Sequence, residues 1–510
     1  MELLKEQLQF TETKFKDKDV AYVDGDVIVP DVKPDILKVL QVDAVSIITS
    51  KELSDGRFKV SGMIKYNILY IPEREGENIK SIMTEMPFSH SVEKKNLSED
   101  VLIDINTDIE RVEFTLLNSR KLNIKTAVTV CYKVWEKRDI SVASGIDFEK
   151  AEIIYDKMNT RNLNVLDEHS FVIRDRLTIP SGRASIAEIL KMDINICDRE
   201  IKAITGKAVE KGNVLVCVLY IDSNGELNTI DGEIPFTEVA EIFELEEDAP
   251  CNVEYRLGDF EYNCGMDEDG EARTVDFDIK INSLVTSYEE KELQIMKDCF
   301  CPGCKTDMIY DNVNIENIVS VRKNQYTIKE IIVPDKKVPQ ISNVYNVLTR
   351  PFIIKTTVRE GKITVEGKVE VYILYITDNS QIPVYSFKKE VPVEFIIDNE
   401  KAVDGMNCLA EIATEHITFN VNMASEVELR CNLSVETKLS IKNEIDIISD
   451  CTLCEGEKDS GVVIYYVQPG DTLWQIAKRY CVALDDIVRF NNIQDKDVIG
   501  EGERLIIPIH

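Results

Sequence analysis

The sequence predicts a mainly β protein: three tandem copies of one β-rich domain, sandwich-like or barrel-like, followed by a small module of strand, helix, helix and strand. Three observations predict this architecture. Short motifs recur about every 150 residues, apolar and polar residues alternate with period two within each copy, and the composition changes after Cys454. At 510 residues the chain is long enough for several such domains.

The repeat is marked by three independent motifs. An apolar residue followed by proline recurs near the start of each copy, at Pro30, Pro180 and Pro334. The tripeptide Leu-Tyr-Ile recurs at 69–71, 219–221 and 374–376, and a second proline recurs at Pro87, Pro235 and Pro392. Because separate motifs share one spacing, we interpret the chain as three repeats, over residues 1–150, 151–305 and 306–454.

Each repeat also contains two glycines six residues apart: Gly56 and Gly62, Gly206 and Gly212, Gly361 and Gly367. A phosphate-binding loop has a different spacing and opens a helix. Here the second glycine is followed by alternating apolar residues, which predicts that it opens a half-buried strand and that the first glycine lies in a hairpin turn. We expect residues 27–140, 177–290 and 331–445 to superpose, with Gly62, Gly212 and Gly367 at one place.

The charge and the hydropathy of the chain exclude several classes of function. The formal net charge is −32, which argues against a nucleic-acid-binding protein and against docking to an anionic membrane. There is no apolar run of about 18 residues and no apolar stretch typical of a secretory signal. We therefore expect a cytoplasmic protein without direct membrane insertion.

The C-terminal module begins after a polar, glycine-containing linker over residues 455–461 and covers residues 462–510. Asp471 or Thr472 is expected to cap its first helix. The buried stripe of that helix is predicted from helical spacing and consists of Leu473, Ile476, Ala477 and Tyr480.

This module resembles a LysM domain in the run from Tyr466 to Ala477, in Asn491-Asn492-Ile493, and in Gly502 before Leu505 to Pro508. The resemblance implies a βααβ fold and a groove for N-acetylglucosamine chains between two loops, at 470–473 and 498–502. Many LysM domains carry an aromatic residue and a proline in the second loop, where this chain has Gly500-Glu501-Gly502. That departure favours a protein partner over a glycan.

The repeats and the terminal module together resemble the SPOCS-domain family of clostridial spore-coat morphogenetic proteins. The resemblance implies a non-enzymatic coat-assembly scaffold in the cytoplasm of the mother cell, at the forespore surface, with the repeats forming an elongated acidic body. It also implies binding of the coat basement-layer ATPase SpoIVA through the LysM domain. The alternative is a LysM protein of the spore envelope that binds peptidoglycan.

The predicted partner-binding surface lies on the LysM loops and consists of Gly470, Asp471, Thr472, Trp474, Gln475, Val498, Ile499, Gly500 and Glu501. Trp474 directly follows Leu473 and is therefore expected to point away from the buried stripe. Two interpretations of Trp474 stay open. It packs over the edge of the sheet, or it is an exposed interface hot spot, a role in which tryptophan is enriched.

The histidines and cysteines do not predict catalysis or a cofactor. None of the four histidines belongs to a recognisable catalytic motif. Two C-x-x-C pairs, at 301–304 and 451–454, could in principle form a zinc site with four cysteine ligands, but they are one whole repeat apart. We therefore expect thiols at the junctions between repeats, without bound metal and without disulfides under reducing conditions.

Overall fold

The computed structural model describes residues 3–509 except 55, 74–78, 96, 98–100, 149, 336–337, 380, 423–425, 456–460 and 497. The prediction of a mainly β protein is confirmed. Among the described residues there are two helices, and both lie in the C-terminal module. The linker predicted over 455–461 falls mostly outside the described residues.

Each repeat consists of six antiparallel strands. The strands of the first repeat are β1 (Leu3–Ile28), β2 (Ile36–Ser54), β3 (Arg57–Pro72), β4 (Lys80–Glu93), β5 (Val101–Asn118) and β6 (Lys121–Ile146). Those of the second are β7 (Glu152–Thr178), β8 (Ile186–Ile204), β9 (Lys207–Asp222), β10 (Leu227–Glu241), β11 (Cys251–Met266) and β12 (Ala272–Phe300). Those of the third are β13 (Cys304–Ile332), β14 (Ile341–Arg359), β15 (Lys362–Thr377), β16 (Val384–Asp398), β17 (Asn407–Val421) and β18 (Val427–Glu455).

The six strands of a repeat form two separate three-stranded sheets that face each other. In the first repeat the strand orders are β2-β3-β4 and β1-β6-β5, and the other repeats have the same two orders. The inward faces of β3 and β6 supply much of the core, where the Tyr66 hydroxyl lies 2.7 Å from Thr126 Oγ1. Because the sheets are not closed on each other, the repeats are sandwiches, and the barrel-like alternative is wrong.

The glycines of each repeat lie at equivalent places. Gly56, Gly206 and Gly361 have φ angles of 76°, 75° and 76°, and each lies in the turn between the second and third strands of its repeat. Such positive values favour glycine because they cost little without a Cβ. The N–H of Gly56 donates to Leu97 O at 2.9 Å, and its carbonyl accepts from Lys94 N at 2.9 Å. Gly206 and Gly361 make the corresponding pairs of bonds.

The second glycine lies inside the third strand, so the expectation that it opens that strand is corrected. A Cβ at Gly62 would lie 2.1 Å from Ile47 O, and one at Gly367 would lie 2.4 Å from Phe352 O. A Cβ at Gly212 would meet the Phe236 ring at 2.6 Å. All three glycines face an irregularity in the preceding strand, where a β-bulge shifts the register and crowds the space that a side chain would need. Pro30, Pro180 and Pro334 each lie two residues after the first strand of their repeat.

The first and last strands of each repeat pair well beyond the sandwich and form a two-stranded ribbon. The three ribbons comprise residues 3–11 with 137–146, 152–163 with 288–300, and 304–317 with 441–455. One apolar cluster between them includes Ile140, Val142, Ile295 and Ile447, which come from all three ribbons. The ribbons therefore bury their apolar faces against one another.

A second shared core holds the three sandwiches together. The leucines of the Leu-Tyr-Ile motifs, Leu69, Leu219 and Leu374, belong to one buried cluster. Each repeat also contacts both others through polar groups: Lys65 pairs with Asp259, Arg199 donates to Thr414 O, and Arg350 donates to Asp108. The repeats therefore form a closed ring in which each contacts both others, and the expectation of an elongated body is wrong.

The C-terminal module has the predicted βααβ order: β19 (Gly461–Tyr466), α1 (Leu473–Tyr480), α2 (Leu484–Asn491) and β20 (Arg504–Ile509). Thr472 caps α1, because its Oγ1 accepts from Gln475 N while the Gln475 side chain accepts from Thr472 N. Leu473, Ile476 and Ala477 are buried on the inner face of α1. The two strands pair along their whole length. The three buried residues pack in a small core between the helices and this sheet.

Candidate functional site

The groove predicted on the C-terminal module lies between two loops that are joined by backbone hydrogen bonds. Gly502 N donates to Val467 O at 2.9 Å, and Val467 N donates to Glu503 O at 3.0 Å. In the first loop Asp471 Oδ2 accepts from the Tyr465 hydroxyl at 2.6 Å and from Gln468 N at 2.8 Å. The hydrogen bond from Tyr465 and the one from Gln468 lower the pKa of Asp471. Asp471 therefore fixes the shape of the loop.

Most of the other predicted contact residues face outward at this groove. Val498 is 68% exposed, and Ile499 packs partly against the core of the module. The remaining exposed members of the predicted set are Gly470, Thr472, Gln475, Gly500 and Glu501. The structure thus brings the two loops together and leaves a polar, acid-containing rim with one apolar side chain.

Trp474 is turned toward the rest of the chain. Its ring centroid lies 4.9 Å from that of Phe300 with the planes at 73°, an edge-to-face contact. Its Nε1 donates to Asp298 Oδ2 at 2.8 Å. Lys478 Nζ, one turn further along α1, donates to Asp298 Oδ1 at 2.5 Å. Trp474 therefore joins the module to the end of β12, an arrangement that neither interpretation from the sequence included.

Two further contacts complete this docking interface. Ala483, which precedes α2, has no side chain that can cap a helix, and the free N–H of Leu484 donates instead to Glu152 Oε1 at 2.8 Å. Burial raises the pKa of Glu152. Gly303 N donates to Cys481 O at 2.7 Å. The module is therefore seated on the ribbon of the second repeat and on the turn that leads into the third.

The two C-x-x-C segments also meet at this interface. In the pairing of β13 with β18, Met308 lies opposite Cys451 and Lys305 lies opposite Cys454. A separation of one repeat in sequence therefore does not keep the segments apart in space. Burial raises the pKa of the Cys299 thiol to about 12 and that of Cys301 to about 11. Protonated thiols of this kind are poor nucleophiles, which fits a role in packing.

A row of apolar side chains on the outer face of β19 was missed in the sequence. Val462 is 64% exposed, Ile464 56% and Tyr466 57%, and all three lie on one face because side chains alternate along a strand. The alternation in Val462 to Tyr466 could have predicted a two-faced strand. The exposure of its outer face could not be predicted, because the sequence alone does not show whether another part of the chain packs against that face.

A cavity of about 550 Å³ lies where the three repeats meet. Its lining includes four cationic side chains and two carboxylates, and one pair is formed by Lys16 Nζ and Glu411 Oε1 at 2.8 Å. Burial lowers the pKa of Lys133, which also lines the cavity. No histidine is among the described residues that line the cavity.

We expect Asp298→Ala to loosen the docking of the C-terminal module. The change removes the acceptor of both Trp474 and Lys478, and hydrogen bonds to charged groups contribute about 1.5–3 kcal/mol each. Hydrogen–deuterium exchange should accelerate in α1 and α2, and tryptophan fluorescence should shift toward that of a solvated ring. Asp156→Ala is the matched control, since Asp156 forms only a solvent-exposed pair with Lys297 on the same ribbon. Unchanged exchange in Asp298→Ala would show that the contacts with Phe300, Glu152 and Gly303 hold the module without Asp298.

Comparison with protein-family models identifies both parts of the chain. The SipL SPOCS-domain model matches residues 35–117, 185–265 and 340–422, and the LysM-domain model matches residues 465–508. Each SPOCS match covers the second to fifth strands of a repeat and includes no residue of its first or last strand, the two that form the ribbon. No curated protein and no solved structure matches the chain. In the described part of the chain no helix is both long and apolar enough to cross a membrane.

The repeats and the terminal module therefore correspond to domains of non-catalytic types, and their order is three SPOCS domains followed by one peptidoglycan-binding-like domain. The chain belongs to the SipL-like sporulation proteins.

Proposed function

We propose that this protein is a non-enzymatic scaffold of spore-coat assembly, located in the cytoplasm of the mother cell at the forespore surface, and that its LysM domain binds SpoIVA. The observation that carries the proposal is the outward-facing apolar row on β19. Val462, Ile464 and Tyr466 are each more than half exposed on a domain that is otherwise seated firmly on the repeats. Contiguous exposed apolar surface of this kind is typical of protein–protein contacts.

The composition of the groove supports a protein partner over a sugar chain. Glycan sites usually need an aromatic platform, and the second loop presents Gly500, Glu501 and Gly502 instead. Tyr466 stands at the end of the apolar row nearest to the first loop, so the row leads along the chain toward the exposed Gln468 and Gly470 of that loop. An apolar centre with a polar rim is the usual composition of a protein interface.

The seating of the LysM domain supports a scaffold role for the whole chain. Asp298, Phe300 and Glu152 hold the domain against the ribbons. A rigidly held domain loses less conformational entropy when it binds than one on a free tether. The closed ring of repeats therefore acts as a platform that presents the LysM surface in one orientation.

Deletion of residues 461–510 is expected to abolish binding of purified SpoIVA while the repeats still fold, as measured by isothermal calorimetry and circular dichroism. Tyr466→Ala in the full chain should weaken binding by about 2 kcal/mol, or roughly 30-fold, because truncated aromatic hot spots cost this much. Tyr22→Ala is the control, since Tyr22 is also an exposed tyrosine but lies on the first repeat. Wild-type affinity in residues 1–460 would assign the contact to the repeats instead.

A second candidate function, binding of peptidoglycan or N-acetylglucosamine chains, is favoured by the LysM match. A parallel pull-down against purified peptidoglycan separates the two. Retention of the full chain on peptidoglycan, lost on deletion of 461–510 and unaffected by Tyr466→Ala, would favour the glycan function.

A further inference from the structure

Two irregular strand segments meet at the boundary between the second and third repeats. In β8 the register shifts between Cys197 and Glu200, so that two residues bulge out, whereas the corresponding bulges in β2 and β14 contain one. Asp198, the first bulged residue, has φ of 52°. In β17 a second bulge lies between Thr414 and His416. Bulges re-aim side chains, and these two aim theirs at each other.

The result is a compact group of three ligand-type side chains from two repeats. The ligand atoms of Cys197, Asp198 and His416 all lie within 4.8 Å of one another. Asp198 Oδ2 is at the centre, 3.2 Å from His416 Nδ1 and 3.6 Å from Cys197 Sγ. Among the side chains that the structure describes, no other histidine, cysteine and carboxylate group of three is this compact.

We propose that Cys197, Asp198 and His416 bind one transition-metal ion of the zinc class and so fasten the second repeat to the third. A thiolate, an imidazole and a carboxylate are the usual zinc ligands, whereas calcium and magnesium prefer oxygen alone. Three protein ligands leave a position for a water molecule. This proposal departs from the metal-free prediction, which considered only the C-x-x-C pairs, and it does not depend on the proposed function.

The surroundings of the group support metal binding. Asn213 Nδ2 donates to Asp198 Oδ2 at 3.1 Å and to Glu233 Oε1 at 2.5 Å, so the central carboxylate is held by an outer partner as metal ligands usually are. Binding of the ion would displace the proton of the Cys197 thiol, which is released to solvent. A left-handed backbone at a non-glycine residue is a further sign of a constrained site.

The residue types at the other two boundaries explain why no equivalent group is formed there. The residues at the bulge of β2 are Ile48, Thr49 and Ser50, and those at the bulge of β14 are Ile353, Ile354 and Lys355. None of these can supply a thiolate or a carboxylate. The ring would thus carry one metal link at one of its three boundaries.

The test uses the full chain, purified without a metal-affinity column, kept reduced, stripped with a chelator and dialysed against limiting zinc. Mass spectrometry should find one zinc per chain, and Cys197→Ser, Asp198→Asn and His416→Gln should each lower zinc affinity at least tenfold. Cobalt(II) should give a thiolate-to-cobalt charge-transfer band that is lost in Cys197→Ser. Asn213→Ala should weaken zinc binding by about 10- to 100-fold, as changes in outer partners do.

Two controls make the outcome decisive. Cys301→Ser, in the C-x-x-C segment, and His90→Gln, which pairs with Asp19 in the first repeat, should keep full zinc content. Zinc should raise the melting temperature of the wild type but not that of Cys197→Ser, and circular dichroism should show that both are folded. Absence of bound zinc in the wild type, or zinc that survives in Cys197→Ser and disappears in Cys301→Ser, would overturn the proposal.

Discussion

Lys191→Met is expected to destabilise the folded chain by about 3 kcal/mol, because it leaves two carboxylates without their cation at the centre of the ring. Lys191 is 6% exposed. Its Nζ lies 2.7 Å from Asp43 Oδ2 of the first repeat and 3.0 Å from Asp193 Oδ2 of the second. It also lies 5.5 Å from the ring centroid of Tyr345, in the third repeat. One ammonium group therefore joins all three repeats.

The expected cost is at the lower end of the range for buried pairs, since both carboxylates keep some contact with solvent. Denaturant unfolding followed by circular dichroism measures it. Adding Asp43→Asn and Asp193→Asn to Lys191→Met should restore most of the lost stability, because no uncompensated charge then remains. Lys297→Met, which breaks an exposed pair with Asp156, is the control and should cost less than about 1 kcal/mol. A similarly small loss in Lys191→Met would show that the ring does not depend on this group.

The contribution of Lys191 has a defined dependence on pH. Burial lowers the pKa of Lys191, but Asp193 and Asp43 outweigh burial and raise that pKa above its ordinary value of 10.5. A raised pKa means that the folded state holds the proton more tightly than the unfolded chain does. The stabilisation is therefore fully present below about pH 10, and it is lost as the pH rises through the higher value of the folded state. The difference between the wild type and Lys191→Met should stay constant from pH 7 to about pH 9.

Leu219→Ala is expected to cost about 2–5 kcal/mol, the usual range for truncating a buried leucine. Leu219 is fully buried in the cluster that it shares with Leu69 and Leu374. The lost contacts belong to the boundary between repeats, so the cavity opens where the sandwiches meet and not within one sandwich. The variant should therefore unfold at lower denaturant concentration and become sensitive to limited proteolysis between repeats.

Val239→Ala provides the matched control for Leu219→Ala. Val239 lies in the same repeat and its truncation removes apolar volume too, but its side chain is half exposed. The loss of stability should be below about 0.5 kcal/mol. Equal effects of the two variants would contradict a shared core at the Leu-Tyr-Ile motifs.

The repeats, their β content and the LysM fold could be predicted from the sequence, because each rests on a local period. In the Leu-Tyr-Ile motif the tyrosine follows the alternating inward face, and Tyr70 does lie in the core of its sandwich. The leucine lies on the opposite face, and period two predicts that face as exposed. Its apolar character was the signal for a second buried surface, but a single sequence does not show which surface covers it.

The docking of Trp474 and the group around Asp198 could not be predicted for a related reason. Trp474 meets Asp298 across 176 residues, and His416 meets Asp198 across 218. Such contacts follow from how whole repeats pack. The two-residue bulge in β8 is a feature of the backbone geometry, and no residue pattern in Cys197 to Glu200 predicts it.

In each repeat the first strand pairs with the last strand, as Leu3 pairs with Ile146 in the first repeat. During synthesis a repeat can therefore complete its fold only after its last strand has been made. A ribbon strand at the start of a repeat has no partner until about 140 further residues have emerged, and such long-range pairing is slow and leaves strand edges open to misassembly. The seat of the LysM domain, at Asp298 and Glu152, is complete only once the second repeat has closed. Docking of the LysM domain therefore has to follow closure of the second repeat, and a chain in which that repeat stays open cannot present a seated LysM domain.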